Sequence, residues 1–265
     1  MLIAQISDTH IDQPGVLAFG RYDTQTAFAR ALEKIASEVQ RPDLLLHTGD
    51  LTQHGDLAVY QRARAMLDAT GIPYALMAGN HENTEVLRAV FADADWMPNG
   101  TFLQYVIDGF PVRLICLDTT IEGKLEGELC RERLDWLASR LAEEPAKPTM
   151  IAMHHPAFRV GSRSVPAVNF RNEREVAELV ARYPNVSLVV AGHVHCTLQA
   201  RVGNAVALTV PSTAFQFAFE RVAGKRAALI DEPAAYYLHR WEPDGGFTSQ
   251  LVLVGDFAIV DMSRR

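Results

Sequence analysis

The sequence has few cysteines, no long apolar run and no cluster of basic residues. Its three cysteines, Cys116, Cys130 and Cys196, are scattered and none lies at CxxC spacing, which argues against a disulfide framework or a zinc-thiolate site. No apolar stretch approaches the roughly 20 residues that a membrane-spanning helix needs. The N-terminus lacks the basic and apolar segments of a secretory signal, so we expect a cytoplasmic protein with no membrane partner.

The charge of the chain limits its ligands. Its 265 residues include 25 basic and 32 acidic side chains, and the resulting formal net charge of −7 repels polyanions. We therefore expect no duplex nucleic acid as a partner. With 48% hydrophobic and 22% charged residues, the chain can bury a large core as one domain, or as one domain with a small appendage.

Short apolar runs alternate with amphipathic segments, which predicts an α/β fold. Strands are predicted over 2–6, 44–47, 74–77, 103–107, 112–117, 149–153 and 186–190, and helices over 23–39, 56–69, 84–92 and 131–141. Beyond Val190 the pattern becomes rich in strands, which are predicted over 197–202, 206–210, 236–241 and 247–254.

Polar side chains collect where the predicted strands end. Six of the nine histidines fall in five short segments, which are Asp8-Thr9-His10, Gly49-Asp50, Gly79-Asn80-His81-Glu82, His154-His155-Pro156 and Gly192-His193-Val194-His195. Ligands of open α/β sheets bind outside the carboxyl ends of the strands. Residues two apart in extended backbone project to the same side, so Asp8 with His10, and His193 with His195, form two pairs of candidate ligands.

The ligand types in these segments indicate a transition metal. Imidazole, carboxylate and amide groups together suit Zn, Mn, Fe or Co better than calcium or a soft metal. Seven candidate ligands are too many for one tetrahedral ion, so we predict two ions sharing a bridging carboxylate, with Asp50 as the bridge. The seven are Asp8, His10, Asp50, Asn80, His154, His193 and His195.

Taken in order, the five segments resemble the calcineurin-like metallophosphoesterases. Their signature is D-x-H, G-D-x-x-x-x-G, G-N-H-[DE], a later histidine and G-H-x-H, and all five blocks occur within about the first 195 residues. The chain length, the block spacing and the His154-His155-Pro156 form are most similar to the bacterial branch of class III cyclic nucleotide phosphodiesterases and glycerophosphodiesterases.

The resemblance implies a four-layer α/β/β/α sandwich over residues 1–201. It also implies a small β-rich C-terminal cap over 202–265 that overhangs the site and joins subunits into a homo-oligomer. One ion would be held by Asp8, His10, Asp50 and His195, and the other by Asp50, Asn80, His154 and His193. His81 would lie beside the ions as the catalytic residue that contacts the phosphate or protonates the leaving group.

The implied activity is hydrolysis of small phosphodiesters, either 3′,5′-cyclic nucleotides or glycerophosphodiesters, by a hydroxide bridging the two ions. The ligands do not select one metal pair among Fe, Mn, Zn and Co. Three alternatives stay open. They are a phosphomonoesterase with the same metal core, a nuclease, which the acidic charge disfavours, and a non-catalytic scaffold, which the complete ligand set disfavours.

Further polar side chains have two interpretations. Arg21 is a candidate contact for a substrate phosphate or sugar, although a solvent-exposed arginine is the more common case. His54 is either a substrate contact or a surface residue, and His155 is expected to support the site or the fold. His47 and His239 are interpreted as structural, and Glu82 as a cap of the helix that follows it.

The alternation of Phe215, Phe217 and Phe219 favours a strand face or a dimer contact over a base-stacking platform.

Overall fold

The computed structural model describes residues 1–161, 169–218, 221, 228–258 and 260–262. The helices in these ranges are α1 (Thr24–Ala36), α2 (Leu57–Ala69), α3 (Thr84–Val90), α4 (Arg131–Glu143) and α5 (Glu173–Val180). The strands are β1 (Leu2–Ile6), β2 (Leu44–His47), β3 (Tyr74–Leu76), β4 (Tyr105–Ile107), β5 (Arg113–Leu117), β6 (Thr149–Met153), β7 (Val186–Ala191), β8 (Gln199–Val202), β9 (Ala205–Thr209), β10 (Gln216–Phe217), β11 (Leu229–Ile230), β12 (Ala235–Glu242) and β13 (Gly246–Leu253). None of the described helices has the length and apolar character needed to cross a membrane.

Two sheets form the centre of the molecule. The first has the order β13-β12-β1-β2-β3, the second has the order β4-β5-β6-β7-β9-β8, and β10 and β11 form a separate pair. In the first sheet β1, β2 and β3 are parallel. In the second sheet β5, β6, β7 and β9 are parallel. Within each sheet, loops that follow these parallel strands therefore leave from the same edge.

The second sheet packs differently on its two faces. Ile115 and Ile151 belong to a cluster that includes Leu137 of α4, whereas Leu114 and Met150 belong to the cluster that contains the first sheet and α1 to α3. Successive strand residues point to opposite faces, so one face meets α4 and α5 and the other meets the first sheet. This arrangement confirms the predicted four-layer α/β/β/α sandwich.

The C-terminal strands complete both sheets. The predicted boundary after residue 201 falls within β8, and β9 adds to the second sheet in parallel with β7. β12 pairs antiparallel with β1, placing Gln5 opposite Tyr237, and β13 forms the edge beyond it. Among the described residues after 202, the β10–β11 pair is the strand structure that lies outside the two sheets. A role of this region in joining subunits stays a prediction.

Candidate metal centre

Loops after β1, β2, β6 and β7 meet at one edge of the sandwich. The Asp8 N–H donates to the carbonyl of Gly49 at 2.9 Å, and the His10 N–H donates to that of Asp50 at 3.0 Å. The loops after β6 and β7 are joined in the same way, since the Gly192 N–H donates to the carbonyl of His154 at 3.0 Å. These bonds fix the loops relative to one another and bring together ligands that are far apart in sequence.

Most candidate ligands have a strained backbone. Positive φ angles occur at Asp8 (52°), His10 (44°), Asp50 (55°), His193 (70°) and His195 (47°). Residues other than glycine seldom adopt this conformation, which costs on the order of 1–3 kcal/mol and persists only where the surroundings enforce it. Such strain in five of the seven predicted ligands indicates that these loops are shaped for binding.

Three of these ligands form a compact group, which we call the first half-site (Asp8, His10 and His195). The Nε2 atoms of His10 and His195 are 3.0 Å apart, and His195 Nε2 is 3.3 Å from Asp8 Oδ1. All three residues are buried, with at most 3% of their surface exposed. Asp50 Oδ2 lies 3.6 Å from His10 Nε2 and so adjoins the group.

The second half-site consists of Asn80, His154 and His193. His154 Nε2 is 3.2 Å from Asn80 Oδ1 and 3.4 Å from Asp50 Oδ2. The rings of His154 and His193 have centroids 5.0 Å apart. Asp50 therefore touches both groups through one carboxylate, which is the position expected of a bridging ligand.

The donor atoms of both half-sites fit a metal ion. His195 Nδ1 lies 2.8 Å from the carbonyl of Phe215, and His154 Nδ1 lies 2.8 Å from that of Thr48. A carbonyl only accepts hydrogen bonds, so each Nδ1 carries a proton, and Nε2 is the atom through which each ring would bind a metal. Among the described residues, the buried His193 Nε2 has no hydrogen-bond partner. These convergent lone pairs are what a cation would satisfy.

Electrostatics favour the same interpretation. Burial lowers the pKa of His10 and His193 to about 3, which keeps both rings neutral and able to bind metal. Burial also acts to lower the pKa of His154, but the adjacent Asp50 carboxylate outweighs it and raises that pKa to about 9. The second half-site thus favours a positive charge beside Asp50, which a bound cation would supply.

Two glycines permit the close approach of the loops. A Cβ at Gly79 would overlap the Asp50 carboxylate, and one at Gly192 would overlap the Ser7 hydroxyl and the Asp8 carboxylate. Any side chain at either position would displace a predicted ligand.

Glu82 joins two of the metal loops. Its carboxylate accepts the backbone N–H groups of Asp50 at 2.9 Å, Leu51 at 2.6 Å and Gly79 at 2.5 Å. The cap of α3 is Asn83, whose side chain accepts the Val86 N–H at 3.2 Å. The interpretation of Glu82 as the helix cap is therefore corrected, since its carboxylate organises the loop that presents Asp50.

His81 lies beside Asp50, as the sequence predicts. Its N–H donates to Asp50 Oδ1 at 2.9 Å, and its Nδ1 lies 3.0 Å from the carbonyl of Gln53. Its ring stands edge-on to that of His10, with centroids 4.8 Å apart. Because Nδ1 bonds to the protein, Nε2 of this partly exposed ring is the atom left for a substrate.

Other candidate residues lie around the centre. Arg21 pairs with Asp231 and is 65% exposed, so its guanidinium is engaged by the protein. His54 is 62% exposed, with Nε2 3.6 Å from a carboxylate oxygen of Asp12. His155 is buried, with Nδ1 2.8 Å from the Thr119 hydroxyl, and its ring centroid lies 4.4 Å from that of His193.

Phe215 covers the first half-site. Its ring packs 5.3 Å from the ring of His10 and 4.8 Å from that of His195, while its carbonyl orients His195. The neighbouring Ser212 hydroxyl donates to the Asp8 carbonyl at 2.6 Å. Strand alternation alone did not predict this role for Phe215, because it depends on contacts between distant segments. Phe219 lies outside the described residues.

The fold and the converging candidate ligands are those of a metallophosphoesterase. A family model described as calcineurin-like phosphoesterase matches residues 1–197, and the chain belongs to this family. It is 33% identical to a probable glycerophosphodiester phosphodiesterase, GpdQ, of Arcobacter nitrofigilis over 97% of this chain and 94% of the relative. It is 30% identical to the 3′,5′-cyclic adenosine monophosphate phosphodiesterase CpdA of Pseudomonas aeruginosa over 91% and 84% of the respective chains.

A solved structure shares the fold at low sequence identity. The crystal structure of a dimetal phosphatase from Danio rerio superposes with a TM-score of 0.66 at 14% identity. The match covers 96% of this chain and 99% of that one, so the likeness extends through both sheets.

Proposed function

We propose that the protein is a dinuclear metal-dependent phosphodiesterase acting on small phosphodiesters. The observation that carries this proposal is the Asp50 carboxylate, which lies between two buried ligand groups whose imidazole lone pairs converge. Asp8, His10 and His195 would complete one metal site, and Asn80, His154 and His193 would complete the other.

The residues of the chain have distinct tasks in this reaction. Two ions, when bound by these residues, would lower the pKa of a water toward neutrality and neutralise charge on the phosphoryl oxygens. Asp50 and the buried histidines hold the ligand geometry, and Glu82 fixes the loop that carries Asp50. His81 presents Nε2 toward the partly exposed side of the centre, where it would contact the phosphate or protonate the leaving oxygen.

The substrate is proposed from the relatives. The matched proteins are named for glycerophosphodiesters and for cyclic AMP, and this chain spans most of the length of both. Both substrates are small phosphodiesters, which supports that class over phosphomonoesters. The metal pair is drawn from Fe, Mn, Zn and Co, since the ligand set accepts all four. The homo-oligomer and the cytoplasmic location stay predictions.

Metal analysis and a substrate comparison test the proposal. We expect two ions per chain after reconstitution with Mn²⁺, and faster turnover of bis(p-nitrophenyl) phosphate than of p-nitrophenyl phosphate. A panel of cyclic AMP and glycerophosphodiesters then separates the two subclasses. A preference for the monoester would identify a phosphomonoesterase, and a metal-free, inactive protein would identify a scaffold.

A further inference from the structure

A chain of polar groups runs through the sandwich behind the metal centre. It comprises the side chains of Ser249, His239, Gln5 and Thr48 and the carbonyl of Ala191, and we call it the Gln5 network. His239, Gln5 and Thr48 have no solvent exposure. Burying three polar side chains among apolar strands costs free energy unless their polar atoms are hydrogen-bonded. The hydrogen-bond partners of these side chains are therefore informative.

The hydrogen bonds of the network have one consistent direction. Gln5 Nε2 lies 3.2 Å from the carbonyl of Ala191, so this nitrogen is the donor, and it also donates to the Thr48 hydroxyl at 3.1 Å. Gln5 Oε1 must then accept from His239 Nε2, which is 3.0 Å away. His239 Nδ1 in turn accepts from the Ser249 hydroxyl at 2.7 Å. Burial lowers the pKa of His239 to about 3, so a neutral ring matches this pattern.

The network ends on two chain segments that adjoin the second half-site. Thr48 follows β2, and its carbonyl accepts the Nδ1–H of His154 at 2.8 Å. Ala191 ends β7 and lies two residues before His193. β2 and β7 belong to different sheets, and the Gln5 amide bonds to both chain segments at the edge where the metal loops leave.

We propose that Gln5, oriented by His239, is a positioning residue for the second metal ion. Its amide ties the Thr48 segment of the first sheet to the end of β7 in the second sheet. It thereby sets the position of the Thr48 carbonyl, which orients the His154 ring relative to His193. The inference rests on the proposed function, because it concerns the affinity of that metal site. Side chains that orient metal ligands through hydrogen bonds typically change metal affinity when removed.

Gln5→Leu tests the proposal because it preserves the approximate volume and removes the amide. Thr149→Val is a matched control, since Thr149 is also buried and its hydroxyl donates to the Lys147 carbonyl at 2.9 Å, at the start of β6. Mn²⁺ titration of each metal-free protein gives the two dissociation constants, and thermal unfolding gives its stability. We expect both variants to lower the Tm. Only Gln5→Leu should weaken the second Mn²⁺ site, by about 10–100-fold, and leave the first unchanged.

The double variant Gln5→Leu/His239→Phe separates positioning from stability. It removes the buried N–H that Gln5→Leu leaves without an acceptor, so part of the lost stability should return, and it serves if the single variant does not fold. Second-site affinity should stay low. Recovery of that affinity together with the Tm, or wild-type affinity in Gln5→Leu, would overturn the proposal. A wild-type protein that binds fewer than two Mn²⁺ ions would instead contradict the proposed function, and the inference with it.

Discussion

The two half-sites share Asp50 but are built differently. In the first, all three ligands have positive φ, their donor atoms lie 3.0–4.0 Å apart, and Phe215 covers them. In the second, Asn80 and the adjacent His81 are partly exposed, and His154 is oriented by the carbonyl of Thr48 on the other sheet. The first half-site is thus preformed and closed, whereas the second opens to solvent and depends on the alignment of two sheets.

The difference between the half-sites predicts different metal affinities. A closed group of preoriented ligands loses little entropy when an ion enters, so we expect the first ion to bind more tightly. The open half-site leaves room for substrate, so we expect the second ion to exchange more readily and to limit activity at low metal concentration.

Removing the charge of the shared carboxylate should weaken both half-sites, and it should produce the largest loss of metal binding and activity. Asp50→Asn keeps an oxygen to accept the His81 N–H but loses the negative charge that both ions require. We expect weaker binding of both ions and a loss of kcat/KM of roughly 10³-fold or more. Metal analysis and diester turnover measure this, with Asp43→Asn, at the exposed position just before β2, as the control. Two retained ions with normal turnover would rule out Asp50 as the bridge.

The variant His81→Ala tests whether this partly exposed histidine donates a proton to the leaving group. His81→Ala should lower kcat by about 10²–10³-fold for a diester with an alkoxide leaving group, which needs a proton donor. The loss should be much smaller for bis(p-nitrophenyl) phosphate, because nitrophenolate leaves without protonation. Parallel assays of the two substrates give the comparison, and the exposed His54→Ala is the control. Equal losses on both substrates would argue against proton donation by His81.

The residues that cluster at the candidate site were predictable from sequence, but most of the contacts that support them were not. Asp8, Asp50 and His193 can be found from sequence because each lies within a few residues of the end of a predicted strand, in a short motif. The pairing of β12 with β1 leaves no local signal, since it joins segments more than 200 residues apart. Phe215 and Gln5 act through contacts of the same long range. The short helix α5 was also missed.

Asn80 offers a selective change to the second half-site. Asn80→Ala removes a neutral ligand and should weaken the second ion at least tenfold while the first retains its affinity. Turnover should fall at limiting Mn²⁺ and recover partly at high Mn²⁺, which a metal-dependence curve measures. Asn83→Ala, which removes the cap of α3, is the neighbouring control and should affect stability alone. Equal weakening of both ions would show that the half-sites do not bind independently.

The smallest expected effect concerns the buried support of the second half-site. Burial lowers the pKa of His239 to about 3, so below pH 6.5 the unfolded chain takes up a proton that the folded chain does not. The stability due to neutral His239 is therefore complete above pH 6.5 and is lost as pH falls toward 3. Between pH 6.5 and 5.5 this loss amounts to about 1 kcal/mol. Other buried histidines add to the slope, so the measurement is the difference between wild type and His239→Phe.

Urea unfolding of both metal-free proteins at the two pH values gives that difference. The free energy of unfolding of the wild type should fall by about 1 kcal/mol more than that of His239→Phe, because the variant lacks the titrating ring. Parallel falls would mean that His239 is protonated in the folded protein. Its Nδ1 would then be a donor to Ser249, and the direction of that one hydrogen bond would need revision, because Nε2 donates to Gln5 in either case.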